Sequence, residues 1–581
     1  MSEELEHLRA DVLIVGGGPV GSLVAYQLAR FGCKPLLVEQ DDKNTMPCYG
    51  RACTLWPRTI ELLDAVNMAE KLMQLGVATR SGLHFHEGRR VKGGLMYGSR
   101  MDKLGDTFFK FALHLRQRLT EEEFIKALQE YDIKPYLLHS IERYRIDESI
   151  EDYPVTADVR NLANGQTVQI KAKYIVGADG GKSTVRKLAS ISFDGEHTKH
   201  RWIRMDAVVK TDMPNPRNLN SIDSASHGQI LWCPNDNGLT RIGYVFSQAL
   251  LEKYGGEEGV TMEVAMEEAK KAVSPFKLEF ERVDWFTIYG IGQRIAGTFC
   301  AQDRVFLAGD ACHTHSSGSA QGLNTGVHDA INLAWKLALR VQGIGKKTLL
   351  DSYDAERRPL VQRVIDNDKT ISMLISGQYP PRFEGRNEHT REILTEWFED
   401  INMQSFTLGL GISYAPSILN FEDPGPSRAT VNPGERAPDV YLTKLGTGDP
   451  IRLQSILKNN AKFSIIIFSG NPAYTKPSYS SVQAALSHPQ SFTALFPKRV
   501  FRWFTIPSVF GNGGQEVLGV APIGTVYLDE SVKAHEIYGV DPTRGAIIVF
   551  RPDSWVGTVV PMDESGVKKL NGYFDGILER E

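Results

Sequence analysis

The chain has 581 residues, 42% of them hydrophobic and 23% charged, with 66 Lys+Arg against 70 Asp+Glu and a formal net charge of -4. That length exceeds one ordinary domain, so two or three are expected, each able to bury its own core. The near-balanced charge leaves no footprint for nucleic acid, and no window approaches about 18 uncharged apolar residues, so neither nucleic-acid binding nor stable membrane association is expected.

The chain opens MSEELEHLRADVLIVGGG, with acidic residues and no leader ahead of its first apolar run. It does not read as a signal peptide, and the terminal ILERE is not a peroxisomal tripeptide. The six cysteines are Cys33, Cys48, Cys53, Cys233, Cys300 and Cys312, with no CxxC pair. Neither a zinc cluster nor a disulfide framework is indicated, and a reducing compartment, the cytoplasm, is expected.

Residues 12–15 form a short apolar run, the pattern of a parallel strand buried on both faces. Gly16, Gly18 and Gly21 follow as GxGxxG. The first glycine permits a tight turn, the second lets the backbone approach a pyrophosphate, and the third lets helix and strand pack closely. Residues 20–31 read as the helix, Gly32 as its stop and 36–38 as the second strand, ending at Glu39. Glu39 lies 18 residues after Gly21, where a carboxylate meets an adenosine ribose hydroxyl. This pattern marks a dinucleotide site and does not separate FAD from NAD.

Residues 174–176 read as a strand leading to Asp179-Gly180, and 228–233 and 240–246 as two strands joined by Pro234-Asn235-Asp236-Asn237-Gly238. In DWFTIY, residues 284–289, alternation puts Asp284, Phe286 and Ile288 on one face and Trp285, Thr287 and Tyr289 on the other. Residues 305–307 form a strand into Gly309-Asp310, and 327–340 the next helix. Helical segments surround residues 382–407, and 423–439, rich in Pro, Gly and charge, reads as a linker. FSIIIF (463–468) and GAIIVF (545–550) are buried-strand candidates of a separate α/β domain. His84/His86 and His313/His315 lack convincing further ligands, so no metal site is expected.

With the N-terminal fingerprint, IVGADGGKSTVR (175–186) and RVFLAGDACHTHSSGSAQGLNTGVHDAINL (304–333) resemble the three signatures of class A flavoprotein aromatic hydroxylases. The segment 284–336, beginning DWFTIYGIGQR, is similar to the phenol 2-monooxygenase branch, LLDSYDAERRP (349–359) is similar to the family's usual continuation, and RPDSWVG (551–557) resembles the end of the thioredoxin-like domain appended to phenol hydroxylases. The resemblance implies an α/β chain: a discontinuous Rossmann-like FAD-binding fold, an inserted mixed-sheet substrate domain and a C-terminal thioredoxin-like domain. The expected segments are 1–180 and 290–375 for FAD, 181–289 mainly for substrate, 376–439 helical and linking, and 440–581 for the last domain. That last domain has no cysteine, so a structural or dimer-forming role is expected rather than thiol redox chemistry.

The implied activity is hydroxylation of a small aromatic substrate with NADPH or NADH and O2, through a C4a-hydroperoxyflavin on tightly but non-covalently bound FAD. No second GxGxxG domain is present, which agrees with transient docking of the nicotinamide cofactor. By the same resemblance Arg51 reaches the FAD phosphates, Gln117 and Asp310 the ribityl chain, and Gly322 and Asn324 the isoalloxazine. Asp179 supports the pyrophosphate region and nicotinamide binding. Tyr289 is the preferred catalytic phenol, positioned to orient or relay a substrate proton; the alternative is an aromatic core residue. Arg186 and Arg294 are open between site roles and structural charge.

Three positions depart from the family pattern. Cys53 stands where phenol hydroxylases usually have an aspartate, so the base is another group, the substrate ionises without one, or the thiol acts; a small packed residue is the plainer reading. Ser317 replaces a usual proline and Ala320 a usual glycine beside the flavin. These changes leave open a flavin-dependent oxidase or dehydrogenase, or an FAD-binding scaffold or sensor.

Overall fold

A computed structural model describes residues 8–46, 50–92, 101, 104, 106–316, 318–423 and 428–581, with the backbone alone at 198–200 and 291. Cys48, Ser317 and residues 424–427 of the expected linker lie outside the described residues.

The apolar run DVLIV needs cover on both faces and sits inside a parallel sheet. Arg9–Val15 lies between Thr167–Gly177 and Pro35–Glu39, with Val12 opposite Tyr174 and Pro35. Val305–Leu307 extends the sheet in the same direction beyond Thr167–Gly177. The fold is therefore discontinuous, one strand arriving from far along the chain. Helix Pro19–Arg30 starts on a proline, whose missing N–H is harmless in a first turn, and Gly32 follows its end at φ +80°.

The next helix spans Gln321–Val341, beginning ahead of the expected 327. Its opening QGLNTG reads as loop because glycine weakens helices. Packing explains the glycine: a Cβ at Gly326 would stand 2.6 Å from Val20 Cγ2, so only glycine lets the two helices approach.

Among the described residues the inserted sheet has eight strands, built on a long antiparallel ribbon, Phe193–Thr211 against Leu278–Ala296. Thr240–Phe246, Gly228–Pro234 and Leu219–Ser224 follow, and then Gly82–His86, which pairs in parallel with Leu219–Ser224. This last strand belongs to the substrate sheet although it lies within the first 180 residues. Its alternate residues Leu83 and Phe85 find their apolar partners there, among Ile203, Ile222, Ile230 and Trp232.

The C-terminal sheet centres on Phe463–Gly470, buried along its whole length. It runs parallel to Phe501–Pro507 and antiparallel to Ala546–Phe550, which pairs in turn with Val556–Pro561. Helices Pro472–Leu486 and Glu564–Ile577 complete this thioredoxin-like layer. Buried charges fasten it to helices Gln321–Val341 and Lys347–Ile375. Arg551 meets Glu356 at 2.5 Å and Asp553 at 2.7 Å, and Lys336 reaches Glu356 at 2.8 Å. Arg436 and Arg58 converge on Glu61 at 2.6 and 2.9 Å. No helix among the described residues is long and apolar enough to cross a membrane.

Candidate active site

A cavity of about 870 Å³ opens where the strands of the first sheet end and the inserted sheet begins, the place where open α/β sheets bind ligands. Its nucleotide end is built by glycine. Gly16 holds φ +106°, and a Cβ there would lie 2.3 Å from Ala178 O. A Cβ at Gly21 would lie 2.0 Å from Gly16 O, whereas Gly18, on the cavity wall, has open space on that side. The Glu39 carboxylate accepts from the Gly17 N–H at 2.6 Å and the Asp41 N–H at 2.9 Å, tying the turn to the strand end.

Asp179 accepts from Ser183 Oγ at 2.5 Å and from the Thr184 and Val185 N–H groups at 2.6 and 3.1 Å. It thus caps the short helix Thr184–Leu188 while its loop lines the cavity. Arg186 is no surface charge: buried, it donates to Ala311 O at 2.6 Å and Gly181 O at 3.0 Å, joining two loops of the site. Beyond them the Asp310 carboxyl is exposed on the wall. The turn that presents it is fixed by buried Asp329, which accepts from the Gly309 N–H at 3.0 Å, from Arg357 at 2.8 Å and pairs with His313 at 2.8 Å. Cys312, His313 and Asp329 bring their donor atoms within 4.8 Å of one another. Arg357 neutralises that carboxylate, so the cluster reads as a hydrogen-bonded knot.

Gln117 joins helix Gln117–Gln129 to the Arg51 segment, accepting from the Ala52 N–H at 3.3 Å and donating to Glu121 at 2.7 Å. On the opposite wall Gln321–Val341 begins, with Gly322 and Leu323 on the cavity and its positive dipole end facing in. Ala320, just ahead, is left-handed at φ +53°, the conformation that favours glycine. Neighbours hold it there: Asn324 donates to Ala320 O at 2.6 Å and Thr54 O at 2.9 Å, and the Trp56 indole to Ser319 O at 3.1 Å. Buried Asp368 anchors the loop's other end, accepting from the Ser316 N–H at 2.8 Å and hydroxyl at 2.6 Å.

The far end of the cavity is apolar. Leu219, Leu231, Trp56, Cys53 and Tyr289 line it. Tyr289 is half-buried on the ribbon opposite Trp202, under the Arg51 guanidinium at 4.8 Å from the ring centroid. Its neighbours alternate, Phe286 and Ile288 packing on the core of the inserted sheet. Arg241 binds Asp206 at 2.6 and 2.7 Å beside this wall.

The residues fit FAD. Gly18 leaves room for a phosphate, Asp310 offers a free-standing carboxylate, and buried Arg294 Nε and His315 Nε2 on the same wall have no hydrogen-bond partner. Residues 9–368 match the protein family described as FAD binding domain, and residues 412–581 the phenol hydroxylase C-terminal dimerisation domain.

The chain belongs to the class A FAD-dependent aromatic monooxygenases.

Among relatives of this family, a phenol 2-monooxygenase of Aspergillus fumigatus is 27% identical over 99% of this chain and 97% of its own. A 3-hydroxybenzoate 4-monooxygenase of Comamonas testosteroni is 27% identical over 98% and 95%. The flavin-dependent monooxygenase PieE, solved with FAD and substrate, shares the fold at TM-score 0.73 and 19% identity, with 98% of each chain covered.

Of the residues expected from sequence, Gly16, Gly18, Glu39, Arg51, Gln117, Asp179, Asp310, Gly322 and Tyr289 share the monooxygenase cavity wall. Gly21 and Asn324 stand behind it as packing and hydrogen-bonding supports. Asp329, Arg357 and Asp368 escaped sequence reasoning. The signal existed for Asp329: a carboxylate set among the apolar residues of VHDAINLAW demands a partner if the helix is buried.

Proposed function

We propose that the protein hydroxylates a small phenolic compound, with FAD held non-covalently in the cavity, NADPH or NADH as transient reductant and O2 as co-substrate. The observation that carries this reading is Tyr289. The phenol stands on the apolar wall of the same cavity that the glycine turn and Asp310 line at its other end. The names of the relatives, a phenol and a hydroxybenzoate monooxygenase, support an aromatic substrate.

Bound FAD supplies hydride acceptance and transfer of one oxygen atom of O2 to the ring, the second leaving as water. The protein's own residues bind and orient. Gly16, Gly18 and Gly21 admit the pyrophosphate, Glu39 accepts from the adenosine ribose, and Gln117 and Asp310 take the ribityl hydroxyls. Asp179 shapes the pyrophosphate and nicotinamide approach. Gly322 gives the helix N-terminus access to the flavin's pyrimidine edge, and Asn324 fixes that terminus. Arg51, which lies over the Tyr289 ring, reaches the FAD phosphates. Tyr289 Oη hydrogen-bonds the substrate hydroxyl and holds its proton, while Leu219, Leu231 and Trp56 exclude water. Two copies assemble through the C-terminal domain, in the cytoplasm.

The test is anaerobic NADPH reduction of the FAD-loaded protein across a panel of phenols, followed by oxygen and product mass. Faster reduction with a phenol and a product heavier by one oxygen are expected. NADPH oxidation indifferent to every phenol, with no oxygenated product, refutes the reading; an oxidised product without added oxygen supports an oxidase.

A further inference from the structure

Cys53 does not stand alone in the cavity wall. Its Sγ lies 3.7 Å from Thr54 Oγ1, and Cys233 Sγ lies 4.0 Å from the same hydroxyl. Both thiols therefore contact one hydroxyl, that of Thr54. Cys53 lines the cavity, 8% exposed, whereas Cys233 is 1% exposed behind it. Cys233 Sγ is also 3.0 Å from His114 Nδ1, whose Nε2 is 2.7 Å from Thr79 Oγ1. Burial lowers the His114 pKa to about 3, so the ring is neutral.

The charges around the pair favour one thiolate and one thiol. The neighbouring Cys233 thiol lowers the Cys53 pKa most; burial opposes it, Arg241 adds to it, Asp206 subtracts and Thr54 adds. Burial raises Cys233, and so does the neighbouring Cys53. The other described cysteines behave oppositely to Cys53: burial pushes Cys33 up to about 12 and raises Cys300 and Cys312. A thiolate that faces a solvent-accessible cavity is the nucleophilic form of cysteine.

We propose that Cys53 and Cys233 form a peroxide-reactive pair, in which Cys53 reduces hydrogen peroxide and Cys233 resolves the product into a disulfide across the cavity wall. The Cys53 thiolate attacks one peroxide oxygen; an S–O bond forms, the O–O bond breaks, and hydroxide leaves to become water on taking a proton. Cys53 is then a sulfenic acid. The Cys233 sulfur attacks the Cys53 sulfur, the S–S bond forms, the S–O bond breaks, and water leaves with the Cys233 proton. The sum is two thiols and one hydrogen peroxide giving a disulfide and two waters. The ligand class is hydrogen peroxide or a small hydroperoxide, and the step is independent of which aromatic compound, if any, the cavity takes.

The FAD-loaded full chain, reduced and then freed of reductant, is treated with hydrogen peroxide, quenched with N-ethylmaleimide and digested without reduction for mass spectrometry. A Cys53–Cys233 linked peptide pair, lighter by two hydrogens and reversed by dithiothreitol, is expected, with Cys33, Cys300 and Cys312 unlinked. Cys233→Ser should trap Cys53 as a dimedone-reactive sulfenic acid, and Cys53→Ser should leave Cys233 unoxidised. A Cys53 that stays alkylatable at peroxide doses oxidising a free-cysteine control overturns the proposal. So does Cys53 linked instead to Cys48, or Cys233 oxidised equally in Cys53→Ser. These readouts are masses, so a failure of the hydroxylase reading leaves them intact.

Discussion

Two assemblies of polar groups meet helix Gln321–Val341, one at its cavity end and one at Lys336, and they are finished to different degrees. At the junction with the C-terminal domain, Lys336, Glu356, Arg551 and Asp553 are sealed from water, each paired with others of the set. Along the cavity, Arg294 Nε and His315 Nε2 have no partner, Asp310 is exposed, and Arg51 rests on a tyrosine ring. A sealed charge set is fully satisfied because each unpaired member would be costly. An open wall keeps its polar groups free because a ligand is to complete them. The contrast separates residues that hold the fold from residues that bind.

The sharpest way to break the contrast is at the junction. Glu356→Ala leaves Lys336 and Arg551 facing each other without their shared carboxylate. Removing one partner from such a set costs about 3–5 kcal/mol. Thermal unfolding should show a large fall in Tm, and the retained fold should still bind FAD; an unchanged Tm would mean that the junction contributes little.

On the cavity side, Tyr289→Phe should leave FAD binding and Tm unaltered and slow oxygen transfer to a phenol. Loss of one buried hydrogen bond is worth about 1–3 kcal/mol, roughly tenfold or more in rate. Rapid mixing of reduced, substrate-bound protein with O2 measures that step apart from NADPH reduction. Equal rates and equal coupling to product at every pH would make Tyr289 a packing residue.

Acid should sharpen the same contrast. Burial pushes the Glu61 carboxyl up, but Arg436 and Arg58, with the Thr107 hydroxyl, outweigh it and hold the pKa at about 2 against an ordinary 4.5. A depressed carboxyl stabilises the fold above its unfolded value, so this contribution is complete above pH 4.5 and is lost as pH falls toward 2. Glu61→Gln should flatten Tm against pH in that window while lowering Tm at neutral pH. A parallel acid slope in the variant would assign the acid loss to other carboxylates.

The smallest effect lies where the two regions meet. Ala320 adopts a left-handed conformation that costs a non-glycine residue about 1–2 kcal/mol. Ala320→Gly removes that strain but frees the unfolded chain by about 0.4–1 kcal/mol, so a net gain of about 0.5 kcal/mol is expected in denaturant unfolding. A loss of stability would show that the methyl group packs usefully against Trp56 and its neighbours.

Local pattern made much of this molecule legible in advance. The strand, glycines, helix and Glu39 fall within one short stretch, and each has a steric reason that one sequence displays. The DWFTIY alternation likewise fixes which face Tyr289 takes. Partnerships distant along the chain left no such trace. Asp368 meets Ser316, and Cys233 meets Thr54 beside Cys53, only because separate elements converge. The pairing of Gly82–His86 with the inserted sheet was hidden for the same reason: alternation predicts a strand, not which sheet supplies its neighbour. Ala320 showed in the sequence as a departure, while its left-handed backbone became visible only in the structure.

The ribbon Phe193–Thr211 with Leu278–Ala296 has a mechanical consequence. Its two 19-residue strands reach about 60 Å at roughly 3.3 Å per residue. Register breaks fall between His197 and Arg201, and again at Asp206/Ala207 and Val208/Val209. Between them, residues 201–206 run unbroken against 285–290. Bulges are where a strand bends, so the ribbon is a beam with a stiff middle span and a joint at each end. The stiff span carries Arg204 and Tyr289 on the cavity wall and Asp206, which grips Arg241. These side chains are held relative to one another by one unbroken register, so the place of Tyr289 beside Arg204 and Asp206 is set by strand pairing.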